Sequence, residues 1–387
     1  MKALFSKSNL YKFRVLVALC MLLTVFGCSS NVSVAVIDIE KALDSGAKEI
    51  MLSDVASELE YVTINTGDDF LHDFTKLDLI AAKDGFYMVP QPIGQEPFCK
   101  FSSDGNLISK FSRQGRAKGE YSVVYGVSYS EAKDVLVVSD MDGEVLIYNA
   151  NGDCLYSVAS DFEGYVVRPR AILMGDDLVL FAKSKDRSKF CAVTVDTTGN
   201  IIDEKVLLEY PQTEKYAEAA KAGEGAYVCD GSVRIRNFDY ADSLFTYDGE
   251  KLSVQYPLHL GGHYGKIKFG GKNYECEQFL LMQTIKTPKN YPDIPQEERR
   301  SYVYFNKKNG EICRISKGDN GMECFVNDLD GGAPFWPKTV SNGKMYQMID
   351  AIEFIELAEK CSSEKMKAVA ATLNENSNPV LVVASLK

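Results

Sequence analysis

The chain has 387 residues, and its 54 acidic residues outnumber its 43 basic residues to give a formal net charge of −11. An acidic surface repels phosphate backbones, which argues against nucleic acid as a partner. The ten cysteines include no C-x-x-C pair, so the sequence predicts no zinc framework.

The first 27 residues have the charge and hydropathy order of a secretion signal. Four basic residues precede an apolar run at 15–26, and Gly27 stands directly before Cys28. This order predicts that residues 1–27 are removed, that Cys28 carries lipid, and that residues 28–47 form a tether. The alternatives are an ordinary cleaved signal or a short membrane anchor, although the apolar run is short for a membrane span.

The first 27 residues also indicate how the protein is attached to a membrane. Removing their four basic residues lowers the formal charge to −15, so a lipid tether and not electrostatic attraction would hold the protein near a membrane. Neither Ser29 nor Ser30 is aspartate, which by analogy favours sorting to the outer membrane.

The mature chain repeats one pattern of short strands. The clearest copy runs from Asp134 to Val158, where alternating strands are joined by a turn that ends in Gly152. The same turn recurs at Gly105, Gly199, Gly249 and Gly310, at intervals of 47 to 61 residues counted from one glycine to the next. A period near 47 with several strands per unit is typical of a β-propeller blade.

Strand-like segments at both ends of the mature chain complete the count of blades. These segments lie at 59–65, 343–349 and 379–386. A sixth blade built from both termini would use all of them and would leave no open sheet edge. The sequence therefore predicts an all-β, six-bladed propeller over residues 48–387, with seven blades as the alternative because 311–350 is poorly patterned.

Three segments depart from the strand pattern and predict short helical insertions, at 211–222, 350–360 and 364–373. Residues 257–300 are rich in Gly and Pro and predict long loops. The eight cysteines after Cys28 are widely spaced, and Cys99, Cys154, Cys191 and Cys313 lie in strand-like runs. We expect mostly buried free thiols, with disulfides as the alternative.

The run from Arg113 to Tyr121, RQGRAKGEY, resembles the R-x-G-x-G-P-G-E-Y loop of the six-bladed β-propeller lipoproteins of Bacteroidetes, which are NHL-like or TolB-like propellers. Ala117 and Lys118 replace the Gly and Pro of that pattern. The segments at 52–66 and 378–387 look like the first and last strands of the same family. The resemblance implies a propeller fold and a place in the cell envelope, and it implies no activity.

Candidate ligand-binding residues come from the loops on the face opposite the Gly152-type turns. If strands run from inside to outside in each blade, these loops meet at the mouth of the channel, where propellers usually bind ligands. The candidates are Arg113, Glu120, Tyr121, Asp140, Asp142, Arg168, Arg170, Lys185, Arg187, Arg234 and Arg236. Tyr121 would offer a stacking surface, whereas the alternative for each residue is a purely structural role.

Signals for a metal or for catalysis are weak. His259 and His263 are separated by Leu260-Gly261-Gly262, which disfavours the helix that would align two imidazoles. Acidic turns begin at Asp140 and Asn327, but neither has the glutamate that closes a calcium loop. Three histidines and no G-x-S-x-G motif give a hydrolytic triad little to build on.

The sequence is compatible with two functions. The first is a non-catalytic, monomeric binding module without cofactor or metal, attached to the membrane through its lipid only, whose partner is a glycan, a peptide or an envelope protein. The second is an envelope glycoside hydrolase or lyase that uses carboxylates at the channel mouth. A carboxylate with a raised pKa beside an aromatic platform would favour the enzyme.

Overall fold

A computed structural model describes residues 35–67, 74–92, 94–160, 162–165, 170–210, 224–229, 231–237, 242–318 and 321–387. Within these residues the strands form six sheets of four or five strands each. We number the sheets as blades 1 to 6 in the order in which the chain enters their innermost strands.

The N-terminal segment contributes three strands to the last three blades. Its elements are β1 (Ile37–Asp38), α1 (Ile39–Asp44), β2 (Ala47–Lys48) and β3 (Ala56–Thr63).

Blades 1 to 3 are each built from four consecutive antiparallel strands. Blade 1 contains β4 (Leu77–Ala82), β5 (Gly85–Pro90), β6 (Phe98–Ser102) and β7 (Leu107–Phe111). Blade 2 contains β8 (Val124–Ser130), β9 (Val135–Asp140), β10 (Glu144–Asn149) and β11 (Cys154–Ala159). Blade 3 contains β12 (Arg170–Met174), β13 (Asp177–Lys183), β14 (Lys189–Val195) and β15 (Ile201–Glu209).

Blades 4 and 5 each gain a fifth strand from the N-terminal segment. Blade 4 contains β16 (Glu224–Cys229), β17 (Ser232–Asn237), β18 (Ser243–Tyr247) and β19 (Leu252–His259), followed by β1. Blade 5 contains β20 (Ile267–Glu275), β21 (Phe279–Lys286), β22 (Arg300–Asn306) and β23 (Ile312–Ile315), followed by β2. Both added strands run parallel to their neighbours.

Blade 6 closes the ring with strands from both ends of the described chain. It contains β24 (Thr339–Ser341), β25 (Lys344–Ile349), β26 (Val380–Leu386) and, outermost, β3. Two helices, α2 (Ala351–Lys360) and α3 (Glu364–Ala370), lie between β25 and β26. Antiparallel pairing of β26 with β3 from Val380–Thr63 to Leu386–Ala56 completes the six-bladed propeller that the sequence predicts.

The hydrophobic core is divided into six clusters, one between each pair of neighbouring blades. One cluster joins blades 6 and 1 through Leu381 and Leu79, and another joins blades 1 and 2 through Phe98 and Leu136. A blade is covered on both faces, which explains why inner strands such as β9 are apolar and buried along nearly their whole length.

The predicted glycine turns are confirmed as the turns between the third and fourth strands of blades 1 to 5. All five glycines have positive φ, from 73° at Gly310 to 99° at Gly249. Each blade twists, so this outer turn meets the outermost strand of the preceding blade. Asn65 N donates to Gly105 O at 2.9 Å, and Lys205 Nζ donates to Gly249 O at 2.8 Å.

The packed unit begins earlier than the sequence predicts. The sequence predicts a tether over residues 28–47, but Val36–Lys387 forms one compact unit. Ile37 and Ile39 are fully buried because β1 and α1 pack on the outer edges of blades 4 and 5. Two-residue strands are too short to produce a periodic signal, so the sequence alone does not reveal them.

The helical predictions at 350–360 and 364–373 correspond to α2 and α3, which are capped by the side chains of Asp350 and Ser363. The predicted helix at 211–222 lies outside the described residues. No helix in the described ranges has the length and hydropathy needed to cross a membrane. In the described part of the chain, the eight cysteines after Cys28 are thiols and form no disulfides, and six of them are buried.

Candidate functional site

The loop from Arg113 to Tyr121 joins blade 1 to blade 2 and is held by its own hydrogen bonds. Tyr121 is 1% exposed, and its ring packs against Phe98 and Tyr148 with centroids 5.8 and 6.5 Å away. The Arg113 Nε donates to Gly152 O at 2.8 Å. Tyr121 is therefore a core residue between two blades, and its ring has no free face for stacking on a ligand.

Two acidic residues among the candidates stabilise backbone turns. Glu120 Oε2 accepts a hydrogen bond from Ala117 N at 2.9 Å. Asp140 is 4% exposed and accepts from the Ser122 hydroxyl, Val123 N and Met141 N at 2.7 to 2.9 Å.

The remaining candidates lie at several separate places in the fold. Asp142, Lys185 and Arg187 are exposed on loops between the second and third strands of blades 2 and 3. Arg236 lies in β17, but its side chain is outside the described part of the chain, as are Arg168 and Cys28. Of the described candidates, Arg170 alone lines the cavity that the structure places on the propeller axis.

This channel cavity has a volume of about 680 Å³. Its wall is formed by the six innermost strands, β4, β8, β12, β16, β20 and β24. It extends to the hairpins between the first and second strands, which include Glu131, Gly175, Glu277 and Asn342. These inner hairpins lie on the face opposite the one that the sequence favours for ligand binding.

Arg170 is the first residue of β12, and its exposed side chain reaches across to blade 2. A methyl group added at Gly126 would lie 3.5 Å from the Arg170 Nη1, an ordinary van der Waals distance, so the guanidinium packs against the inner strand of blade 2. Within the described ranges, the Arg170 guanidinium makes no hydrogen bond or ion pair, and the residue pairs only through its backbone with Phe181. The exposed guanidinium thus places a positive charge at the cavity wall.

A buried carboxylate forms a second feature of the cavity wall. Glu275 ends β20 with a fully buried side chain. It accepts from Lys307 Nζ at 2.7 Å, Tyr227 Oη at 2.8 Å, Gln255 Nε2 at 2.8 Å and Arg234 Nε at 3.3 Å. Arg234, a predicted candidate, is thus committed to this network between blades 4 and 5.

The network fixes the protonation state of Glu275. Burial raises the pKa of this carboxyl, but the charges and hydrogen bonds of Lys307, Arg234 and Tyr227 outweigh burial and hold the pKa below its usual value. Glu275 is consequently ionised and fully occupied as an acceptor. The sequence hints at this site only through one acidic residue between Tyr274 and Cys276 at the end of β20.

The acidic turn at Asn327 is held by hydrogen bonds to Asp330. Asp330 accepts from Ser363 Oγ at 2.6 Å, Tyr61 Oη at 2.9 Å and Asn327 Nδ2 at 2.9 Å. His259 and His263 do not share a binding site, because His259 pairs with Glu40 whereas His263 pairs with Asp44. Across the described ranges, His, Cys, Asp and Glu nowhere form a group of three suited to a metal ion.

Known structures with similar folds are distant in sequence. A protein of Bacteroides fragilis NCTC 9343 described as exported has a TM-score of 0.64 and 13% identity, covering 91% of this chain and 99% of that chain. A DUF4221 family member of Bacteroides vulgatus ATCC 8482 has a TM-score of 0.48 and 13% identity, covering 88% and 99%. BamB of Moraxella catarrhalis has a TM-score of 0.41 and 12% identity, covering 86% and 98%. The first of these supports the propeller fold.

No curated protein matches the chain. The family model described as "Domain of unknown function (DUF4934)" matches residues 34–385, which is nearly the whole packed unit. The chain therefore belongs to the DUF4934 family.

Proposed function

We propose that this protein is an exported, lipid-anchored propeller that binds, without catalysis, a carboxylate-bearing glycan or peptide in its channel cavity. The observation that carries this proposal is the guanidinium of Arg170 in the wall of a cavity of about 680 Å³. An arginine fork matches a carboxylate with two parallel, charge-assisted hydrogen bonds. A cavity of this size accommodates a small ligand.

The state of Glu275 supports binding over glycoside cleavage. A glycosidase needs a general acid whose pKa is raised, usually beside a second carboxylate. The pKa of Glu275 is lowered instead, and four donors occupy its oxygens. This carboxylate is suited to a structural role between blades.

Export and lipid attachment are supported by the leader. The order of basic residues, apolar run and Gly27-Cys28 is that of a lipoprotein signal. The similar fold of a Bacteroides fragilis protein described as exported agrees with this proposal.

The cavity is tested by narrowing its opening at the inner hairpins with a large side chain. A soluble fragment of residues 36–387 is first screened on glycan and peptide arrays, and the binding constant of the best carboxylate-bearing ligand is then measured by calorimetry. Val228→Trp places a large ring at the cavity mouth, where Val228 is 49% exposed. Val254→Trp is the matched control, because Val254 is 45% exposed on β19 of the same blade, outside the cavity lining.

We expect Val228→Trp to weaken binding at least tenfold and Val254→Trp to leave it unchanged. Equal affinity of the two variants would place the ligand elsewhere. The absence of any carboxylate-bearing ligand on the arrays would contradict the binding proposal, and cleavage of an arrayed glycan would favour the enzyme.

The role of Arg170 is tested with Arg170→Gln. Loss of one charge-assisted contact corresponds to about 1.5–3 kcal/mol, or roughly 10- to 100-fold in affinity. Arg116→Gln is the control, because Arg116 is exposed in the loop between blades 1 and 2 and lies outside the cavity lining. If Arg170→Gln binds as tightly as Arg116→Gln, the ligand does not use this guanidinium.

Lipid attachment is tested with Cys28→Ser in cells grown with a labelled fatty acid. We expect the variant to lose the label and to leave the membrane fraction. Cys20→Ser is the control, because Cys20 lies inside the predicted leader and should have no effect. Label that persists in Cys28→Ser would contradict attachment at this residue.

A further inference from the structure

We propose that the outer edge of blades 3 and 4 faces the lipid bilayer, so that the propeller stands edge-on to the membrane. This inference rests on the proposed acyl anchor at Cys28. It concerns a membrane-facing strip made of Ile201, Ile202 and Val206 on β15, Val254 on β19, and Val36.

The strip consists of apolar side chains that the fold leaves in water. Ile202 is 59% exposed, Val36 56% and Val254 45%, while Ile201 and Val206 are each 43% exposed. Ile202 stands at a bulge, because Val195 pairs with Ile201 and Thr194 with Asp203. A bulge re-aims a side chain, and here it leaves an isoleucine on the outer surface.

Two contacts at the ends of β19 connect the parts of the strip. Lys205 of β15 donates to Gly249 O at 2.8 Å, which places the outer strand of blade 3 beside the turn that begins β19. At the other end of β19, Leu258 pairs with Ile37, the residue that follows Val36. The strip therefore runs from blade 3 along blade 4 to the start of the packed unit.

The length of the chain before Val36 brings this side of the ring near the membrane. Val36 comes eight positions after Cys28 in the sequence. At about 3.3–3.6 Å per residue, even a fully extended segment spans no more than about 30 Å. An acyl chain on Cys28 would thus hold the outer edge of blade 4 closer to the bilayer than the far side of the ring.

The charges next to the strip specify the kind of lipid surface. Asp203 and Glu204 are exposed on β15, and the Glu250 side chain is 87% exposed. These carboxylates would be repelled by anionic headgroups. A zwitterionic surface such as phosphatidylcholine is therefore the occupant that the strip fits.

The bulge also recurs in the neighbouring blades. Ile108 in blade 1 and Leu155 in blade 2 occupy the same unpaired position as Ile202, and they are 56% and 55% exposed. Blades 1 and 2 lie farther round the ring from Val36 than blade 3 does, so these two residues stay outside the membrane-facing strip. An edge-on orientation leaves the two ends of the propeller axis open to the aqueous phase, where a ligand can enter the cavity.

The orientation is tested on the full, acylated protein in phosphatidylcholine vesicles that contain brominated lipid, which quenches tryptophan fluorescence at close range. Val206→Trp and Val254→Trp report from the strip. Ile352→Trp is the matched control, because Ile352 is 50% exposed on α2 of blade 6, which lies opposite blade 3 in the ring. Trp336 contributes the same background in all three variants.

We expect the added tryptophans at 206 and 254 to be quenched at least twofold more strongly than the one at 352. Equal quenching in protein that floats with the vesicles would overturn the orientation while leaving the anchor intact. Failure of the purified full-length protein to float, with no acyl group found by mass spectrometry, would refute the anchor and the orientation with it.

Discussion

Glu275 shows how one buried charge holds two blades together. Its side chain is fully buried and pairs with Arg234 and Lys307, whose side chains are 12% and 11% exposed. Replacing one partner of such a group leaves uncompensated buried charge, which costs about 3–5 kcal/mol. We expect Glu275→Gln to lower the free energy of unfolding by about this amount at pH 7, measured by urea denaturation.

The control is Glu277→Gln, two residues further along the same hairpin. Glu277 is exposed, so its substitution should change the free energy of unfolding by less than about 0.5 kcal/mol. Equal destabilisation by both variants would contradict the structural role of Glu275.

The same carboxylate gives the stability a defined pH dependence. The pKa of Glu275 is lower in the folded protein than its usual value of 4.5, so its contribution is fully present above pH 4.5 and is lost as the pH falls through the folded pKa. We expect the stability difference between wild type and Glu275→Gln to be constant near neutral pH and to shrink below pH 4.5. A difference that grows in acid would show that the pKa is raised instead.

Tyr121 shows what a sequence reveals about a single residue and what it does not. The motif around it locates a loop between blades, but the exposure of the ring depends on Phe98 and Tyr148, which come from two different blades. Loop position alone therefore suggested a stacking surface where the structure has a core. The charge of Arg170 makes it a candidate from the sequence, whereas its place in the cavity follows from the order of the strands.

The burial of Tyr121 leads to a specific expectation. Tyr121→Ala should lower the free energy of unfolding by about 3–5 kcal/mol, whereas Tyr121→Phe should lower it by less than about 1 kcal/mol, because the ring and not the hydroxyl fills the space. Urea denaturation followed by circular dichroism measures both values. Similar, small effects of the two variants would show that the ring is not a core element.

At the level of elements, the outer turns join the blades as well as reverse the chain. Gly152 has a φ of 80°, and a Cβ at this position would overlap the ring of Phe111 in blade 1. Gly310 occupies the same turn in blade 5 with a φ of 73°, and a Cβ there would meet nothing within 4 Å. The two glycines thus share a backbone requirement and differ in their surroundings.

This difference separates backbone strain from packing. Gly310→Ala should lower the free energy of unfolding by about 1–2 kcal/mol, the cost of the left-handed backbone. Gly152→Ala should cost about 1–3 kcal/mol more, because the buried Phe111 must shift. Chemical denaturation measures the free energy of unfolding of both variants. Equal values would mean that the outer turns do not pack against the preceding blade.

The elements that the sequence predicts are those that repeat. Five glycine turns and the strands before them recur with a near-constant period, because each blade needs the same apolar strands and the same reversal. The N-terminal strands β1 and β2 are two residues long and occur once on each of two blades. Without a repeat or a period, nothing in the sequence distinguishes them from a tether.

At the scale of the whole molecule, pairing of the two ends decides whether the ring is closed. Glu58 of β3 lies directly opposite Ser385 of β26, and Ser385 in turn lies opposite Lys344 of β25. Neither Glu58 nor Ser385 is buried, so both can be replaced by cysteine without opening the core. A cross-link between 58 and 385 closes a loop of about 330 residues, whereas one between 344 and 385 closes about 40 residues.

Stabilisation by a cross-link grows with the length of the loop that it closes in the unfolded chain. We expect the Glu58→Cys, Ser385→Cys disulfide to raise the free energy of unfolding by about 2 kcal/mol more than the Lys344→Cys, Ser385→Cys disulfide, which shares β26 and differs mainly in loop length. Urea denaturation with and without reductant measures both. If the 58–385 disulfide fails to form in the folded protein while the 344–385 disulfide forms, the first and last strands do not pair. The ring would then be open at blade 6, and the two unpaired strand edges would be exposed to neighbouring molecules.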